Sequence, residues 1–127
     1  YQKHSVAVQE QRKASLLILP LRKEPEYKAV LPGKLFEYLA SCRPVMGIGQ
    51  PDGAMSMILD KTNTGAVYDW EDSISMKKYI DDCWKAHLSG NLIIKDGDIS
   101  VFTRRNLTHQ MVELFNKVIE STSSGNK

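Results

Sequence analysis

Short apolar runs alternate with helical patterns along this chain, and the alternation predicts its architecture. Apolar runs at residues 16–19, 45–48 and 66–68 have the length of buried strands and are bounded by Pro or Gly. Around them, apolar residues recur at the spacing of one helical face and predict helices over residues 5–14, 34–41 and 52–61, from Ser73 or Ser75 to Gly90, and over residues 103–120. Such alternation is typical of parallel βα units. We therefore expect an α/β, Rossmann-like, three-layer fold, a parallel sheet with helices on both faces.

Capping residues and polar segments set the expected ends of these elements. Ser5 and Asp52 can cap the first and third helices, and Ser73 or Ser75 the fourth, because short oxygen side chains accept hydrogen bonds from helix N–H groups. Residues 91–98 read as an irregular connection. We expect residues 1–120 to form the domain and the polar residues 121–127 to be a disordered tail.

Composition excludes several classes of function. The 127 residues carry a net charge of +2, which gives no reason to expect nucleic acid as a partner. The two cysteines form no CxxC motif, and the three histidines lack metal-ligand spacing, so neither a disulfide framework nor a zinc module is expected. Both cysteines read as reduced thiols of a cytosolic protein. The chain begins at Tyr1 rather than Met, which leads us to expect a cut from a longer polypeptide.

The loop after the first predicted strand carries the first candidate site. Parallel sheets bind ligands beyond the carboxyl ends of their strands, and residues 22–34 form a long loop there. The loop leads through Leu31 and Pro32 into a helix. Gly33 lets a ligand approach the backbone at the helix start, and Lys34 adds a positive charge, so together they can cradle a phosphate. The alternative is a capped helix with a solvated lysine.

Glu37 lies in the first turn of the same predicted helix, one turn beyond Lys34. A carboxylate at this position can accept two hydrogen bonds from vicinal hydroxyls, such as those of a ribose. The alternative is a glutamate favoured by the helix dipole and by pairing with Lys34.

A glycine-rich turn after the second strand offers a second possible anion site. Residues 47–53 read GIGQPDG and resemble the dinucleotide fingerprint only weakly, because Asp52 replaces its third glycine and Pro51 interrupts the turn. The alternative is a tight turn into a capped helix.

The segment that spans residues 32–45 also resembles a known family. It reads PGKLFEYLASCRPV and is similar to the donor-site segment of GT-B fold glycosyltransferases, of the group 1, family 4-like enzymes of bacterial surface-polysaccharide synthesis. Flanking segments agree with this family: HSVA at residues 4–7, ASLL at 14–17, GAV at 65–67 and FTRRNL at 102–107. The resemblance covers nearly the whole chain.

The resemblance implies the carboxyl-terminal, donor-binding domain of such an enzyme. Its donor would be a nucleotide-diphosphate sugar, and its acceptor a saccharide or a lipid-linked molecule bound by an amino-terminal domain. Glu37 would hold the ribose, Gly33 and Lys34 would meet the diphosphate, and residues 22–31 would line the sugar and base pockets. The family is usually metal-independent, so no cofactor is expected. The implied location is the cytoplasm, with peripheral association of the parent enzyme at the inner face of the cytoplasmic membrane.

Two departures from the family pattern have consequences. A second glutamate often precedes the ribose one by eight positions, where this chain has Ala29, and Glu26 is the nearest substitute. The family's first three strands would precede Tyr1, so we expect an incomplete domain with an exposed sheet edge and no sugar transfer by this chain alone. We expect that edge to be covered either by a homodimer or by a neighbouring segment such as residues 92–94. The competing interpretations are a non-catalytic flavodoxin-like or receiver-like module and a fragment of a Rossmann oxidoreductase.

Overall fold

Three short parallel strands and five α-helices follow one another along the chain. The computed structural model describes residues 4–91 and 98–124. The elements are α1 (His4–Lys13), β1 (Leu17–Pro20), α2 (Gly33–Leu39), β2 (Val45–Ile48), α3 (Ala54–Thr62), β3 (Gly65–Tyr68), α4 (Ser73–Leu88) and α5 (Arg104–Ser124), with 3-10 turns at Pro25–Ala29 and Ser100–Phe102. Most of the connection predicted at residues 91–98 lies outside the described residues.

The strands form a sheet in the order β1-β2-β3, with Leu17 opposite Val45 and Val45 opposite Gly65. Side chains alternate between the two faces of a sheet, and opposite residues share a face. One face, which we call the first face, therefore carries Leu17, Leu19, Val45 and Val67. The second face carries the residues between them.

Helices α2 and α3 cover the first face. α2 packs on β1, and α3 packs on β2 and β3. Leu35 and Leu59 are completely buried there, and the remaining core residues are Leu17, Leu19, Leu39, Val45, Met55, Ile58 and Val67. Met55, Ile58 and Leu59 of the predicted third helix are therefore all buried in this core.

Helix α4 covers part of the second face. The rings of Tyr79 and Tyr68 lie 5.6 Å apart, and the Tyr79 hydroxyl donates to the Val45 carbonyl at 3.4 Å. Further along the helix, His87 Nδ1 lies 3.1 Å from the hydroxyl of Ser15. Helices therefore flank both faces of a parallel sheet, and the predicted α/β, Rossmann-like fold class is confirmed.

Two predicted helix caps are wrong. The N-cap of α3 is Gly53, with no side-chain cap, because the Asp52 carboxylate pairs with Lys28 of the preceding loop. The N-cap of α4 is Asp72, whose carboxylate accepts from the main-chain N–H of Ser75 at 3.0 Å. An aspartate reaches that N–H, so neither predicted serine serves as the cap.

Helix α5 presents its apolar residues to solvent. Every residue from 107 to 122 is exposed, including five apolar residues that recur at the spacing of one helical face, Leu107, Met111, Leu114, Phe115 and Val118. The helix also continues past the predicted end at Glu120 to Ser124. The described residues thus leave the apolar side of α5 uncovered.

Candidate functional site

The start of α2 lies where the sequence placed the candidate site. The chain leaves the carboxyl end of β1 at Pro20 and enters α2 at Gly33, with Pro32 as the N-cap. Pro32 cannot cap through its side chain, and the N–H of Leu35 is bonded to the Pro32 carbonyl at 2.9 Å. The N–H groups of Gly33 and Lys34 therefore meet no capping side chain, as an approaching anion requires.

Gly33 is open to solvent. A Cβ built on this glycine would meet no atom within 4 Å among the described residues. Leu31, two residues earlier, is 41% exposed. A ligand can therefore approach the backbone here without displacing protein atoms.

Glu37 and Lys34 form an ion pair on the same helix. Lys34 Nζ lies 2.7 Å from Glu37 Oε2, and the side chains are 42% and 36% exposed. Gln11 Nε2 of α1 donates to the same oxygen at 3.4 Å. Within the described part of the chain, Glu37 Oε1 accepts no hydrogen bond.

This pairing favours the ionised forms of both groups. The hydrogen bond from Lys34, assisted by Gln11 and opposed by desolvation, lowers the pKa of the Glu37 carboxyl below its ordinary value. The same hydrogen bond raises the pKa of the Lys34 ammonium. Glu37 is therefore an ionised acceptor at neutral pH.

The structure corrects the placement of Glu37 within its helix. Because α2 begins at Gly33, Glu37 falls beyond the first turn, which contains no acidic residue. The helix dipole acts mainly within the first turn, so the dipole does not account for a glutamate here. The pairing with Lys34, the other part of the alternative interpretation, is present.

Helix α1 contributes to the site, which the sequence did not indicate. Gln11 is buried, with 8% of its surface exposed, and it contacts Glu37. Between the two helices lies a cavity of about 120 Å³ lined by Val8, Gln11, Arg12, Glu37, Ala40 and Ser41. A glutamine in a polar helix carries no signal in the sequence that it will turn inward.

The loop before α2 is held against the loop after β2. Lys28 pairs with Asp52, and Gln50 Nε2 donates to the Glu24 carbonyl at 3.3 Å. A Cβ on the buried Gly53 would lie 2.9 Å from the Lys28 carbonyl oxygen, so the two backbones approach closely. These contacts fix the path of the chain toward Pro32.

The loop after β3 joins the same edge of the sheet. Trp70 Nε1 donates to the Leu21 carbonyl at 3.0 Å, and Lys23 pairs with Glu71. The Arg22 guanidinium lies 5.8 Å from the centre of the Tyr27 ring. The loops predicted to carry function therefore converge beyond the carboxyl-terminal ends of the three strands.

The glycine-rich turn is used for packing rather than left open. The N–H of Gly49 bonds to the Tyr68 carbonyl at 2.9 Å, and that of Gly53 bonds to the Gln50 carbonyl at 2.9 Å. A Cβ on Gly47 would lie 2.7 Å from Met55 Cε. These contacts fit the tight turn of the alternative interpretation, although the helix that follows has no side-chain cap.

Comparison with known proteins, and a search for metal-ligand groups and membrane-spanning helices, give no further indication of function. No protein-family model, curated protein or solved structure matches the chain. Over residues 4–91 and 98–124, no group of His, Cys, Asp and Glu side chains is arranged to hold a metal ion. In the same ranges, none of the helices is both long and apolar enough to cross a membrane.

Proposed function

We propose that this chain is the donor-nucleotide-binding part of a bacterial glycosyltransferase. The parent enzyme would transfer a sugar from a nucleotide-diphosphate sugar to a saccharide or lipid-linked acceptor during surface-polysaccharide synthesis. One observation carries the proposal. An ionised Glu37 lies one turn from the open, uncapped start of α2, at the carboxyl edge of a parallel sheet. The resemblance of residues 32–45 to the donor-site segment of that family supports the same conclusion.

The diphosphate would bind at the start of α2. The N–H groups of Gly33 and Lys34 can donate to phosphate oxygens, and the helix dipole favours negative charge there. A ligand atom can occupy the open space at Gly33.

Lys34 would exchange partners when the nucleotide binds. Its ammonium now donates to Glu37, and both side chains are more than a third exposed. Pairs this exposed contribute little to stability, so the lysine can turn toward a phosphate at small cost. Glu37 would then offer its carboxylate to the ribose hydroxyls, which replace the hydrogen bond from Lys34.

The remaining contacts would come from the tethered loops. Tyr27 and Arg22 lie on the loop predicted to line the base and sugar pockets, and Glu26 is the acid nearest to Ala29 along the chain. The developing negative charge on the leaving diphosphate would be stabilised by Lys34 and by the helix N–H groups, without a metal. We expect no sugar transfer by this chain alone, since the acceptor would bind a separate domain.

Titration with UDP, GDP, NAD and FMN, followed by amide NMR shifts, tests the proposal. We expect UDP or GDP to bind with a Kd that is roughly millimolar, because on this proposal the chain would supply only half of a two-domain site. The shift changes should centre on Gly33, Lys34 and Glu37. Tighter binding of NAD would instead indicate an oxidoreductase, and tighter binding of FMN a flavodoxin-like module.

A matched pair of variants tests whether nucleotide binding depends on Glu37 in particular. Glu37→Ala should weaken binding of the nucleoside diphosphate by about tenfold or more. Glu10→Ala removes the carboxylate of another exposed ion pair with the same spacing, Lys13–Glu10 on α1, and should leave binding unchanged. Equal binding by both variants would overturn the proposed role of Glu37.

A further inference from the structure

One oxygen of the Glu37 carboxylate accepts hydrogen bonds from two donors of different character. Lys34 Nζ lies 2.7 Å from Oε2, and Gln11 Nε2 lies 3.4 Å from the same oxygen. The Lys34 side chain is 42% exposed and carries its charge on a flexible stem, whereas Gln11 is buried and neutral. The lysine can therefore leave Oε2 for a phosphate while the glutamine stays beside it.

The polar side chain of Gln11 is buried where an amphipathic helix usually buries an apolar one. Gln11 is the buried residue of α1, while Val6 on the same helix is exposed. Burial of an amide is unfavourable unless the amide is hydrogen-bonded. Among the described residues, the Gln11 side chain donates to Glu37. The inward glutamine is therefore better suited to holding this carboxylate than to packing.

Contacts at the end of α1 fix the backbone that carries Gln11. Arg43 Nε donates to the Arg12 carbonyl at 2.7 Å, and the N–H of Leu17 donates to the Pro44 carbonyl at 2.9 Å. Both contacts join α1 and the start of β1 to the segment between α2 and β2. They keep the Gln11 amide close to Glu37 whatever Lys34 does.

The cavity between α1 and α2 gives the carboxylate another place to turn. Its lining includes Arg12, a cation, beside Glu37 and Gln11. Without the hydrogen bond from Gln11, a carboxylate released by Lys34 could pair with Arg12. The Gln11 amide competes with that arrangement.

We propose that Gln11 is a positioning residue for nucleotide binding. When Lys34 turns toward the diphosphate, the Gln11 amide keeps its hydrogen bond to Glu37 Oε2 and leaves Oε1 for the ribose hydroxyls. Hydrogen bonds at active sites are often long in the unliganded protein and tighten in the complex, which fits the present 3.4 Å. This inference rests on the proposed function, because Gln11 acts through Glu37.

Two matched variants of α1 test the inference by nucleotide titration. Gln11→Met removes the donor and keeps a side chain of similar length, and Gln9→Met makes the same change at an exposed position of the same helix. We expect Gln11→Met to weaken binding of the better-bound of UDP and GDP about fivefold, and the advantage of the ribonucleotide over its 2′-deoxy analogue to fall from about tenfold to about twofold. Gln9→Met should bind both nucleotides as the unsubstituted chain does.

A second measurement needs no nucleotide. The hydrogen bonds from Lys34 and then from Gln11 lower the pKa of the Glu37 carboxyl. In a Lys34→Met background, which imitates the departure of the lysine, addition of Gln11→Met should raise that pKa further, as followed by carboxyl ¹³C NMR. Addition of Gln9→Met should leave the pKa unchanged. Urea unfolding shows whether each variant is folded.

The outcomes distinguish this inference from the proposed function. If Gln11→Met weakens both nucleotides equally, leaves binding unchanged or leaves the pKa of Glu37 unchanged, the positioning role is overturned, while the proposed function stands as long as Glu37→Ala weakens binding. If the unsubstituted chain binds neither UDP nor GDP, or if Glu37→Ala binds as tightly as the unsubstituted chain, both are overturned. A smaller 2′-hydroxyl advantage together with a higher pKa, in Gln11→Met but not in Gln9→Met, supports the inference.

Discussion

Two glycines at the candidate site should respond in opposite ways to the same added methyl group. A Cβ on Gly53 would lie 2.9 Å from the Lys28 carbonyl oxygen and 3.0 Å from that of Gln50. Both atoms belong to the backbone, so two loops must move to admit the methyl group. The φ of Gly53 is −91°, an ordinary value for alanine, and the cost is therefore steric. We expect Gly53→Ala to lower the free energy of unfolding by about 1–3 kcal/mol.

Gly33→Ala is the matched control for stability. A Cβ there meets no described atom within 4 Å, and alanine is the better helix former, so this variant should be as stable as the parent or more stable by about 0.4–1 kcal/mol. Its binding of nucleoside diphosphate should nevertheless weaken, because the methyl group occupies the space proposed for the ligand.

Urea unfolding followed by circular dichroism, together with NMR titration, separates these effects. The reasoning about loop contact fails if Gly53→Ala unfolds at the same urea concentration as the parent. The reasoning about the open helix start fails if Gly33→Ala loses more than about 1 kcal/mol of stability. An unchanged nucleotide affinity of a well-folded Gly33→Ala would contradict ligand approach at this position.

Three further predictions concern the core, a helix cap and pH. Leu59→Ala should lower the free energy of unfolding by about 2–5 kcal/mol in urea, since Leu59 is completely buried. Met57→Ala, on the exposed side of α3, should change this free energy by less than about 0.5 kcal/mol. Asp72→Ala should cost about 0.5–2 kcal/mol by the same assay, because the start of α4 loses its cap. The depressed pKa of Glu37 stabilises the fold fully above the ordinary value of 4.5, and this contribution is lost as pH falls through the lower folded-state pKa. Carboxyl ¹³C NMR should show that pKa rising toward 4.5 in Lys34→Met, and an unchanged pKa would contradict the pairing.

The sequence predicts the layers of this fold well because each layer follows from a local pattern. The run at residues 45–48 is apolar between Pro44 and Gly49, and it forms β2 with those bounds. Leu35 and Leu39 repeat at one helical turn, and both lie in the core. Where burial alone decides an element, periodicity suffices to find it.

The caps and the surroundings of the candidate site depend on contacts between distant residues. Asp52 is a plausible helix cap in sequence, but Lys28 competes for its carboxylate across the edge of the sheet. Gln11 approaches Glu37 only because the tertiary fold places α1 beside α2. The predicted site residues Gly33, Lys34 and Glu37 fall together because they share one helix, whereas the contribution of α1 required the tertiary structure.

The apolar side of α5 illustrates a further limit of the pattern. Leu114 and Phe115 recur with their neighbours at the spacing of a buried face, yet both are more than half exposed. Periodicity indicates that a surface is suited to burial, and it does not identify what covers that surface.

The ribose contact of Glu37 is the claim on which the proposed function depends most. The better-bound of UDP and GDP and its 2′-deoxy analogue should be titrated against the parent chain and against Glu37→Ala. If the carboxylate holds the ribose, loss of the 2′-hydroxyl should weaken binding to the parent by about tenfold or more, because the lost hydrogen bond has a charged acceptor. In Glu37→Ala, the two nucleotides should bind equally weakly. Removal of the 2′-hydroxyl could instead lower affinity equally in the unsubstituted chain and in Glu37→Ala, or not at all in the unsubstituted chain. Either result would contradict the role of Glu37 in holding the nucleotide.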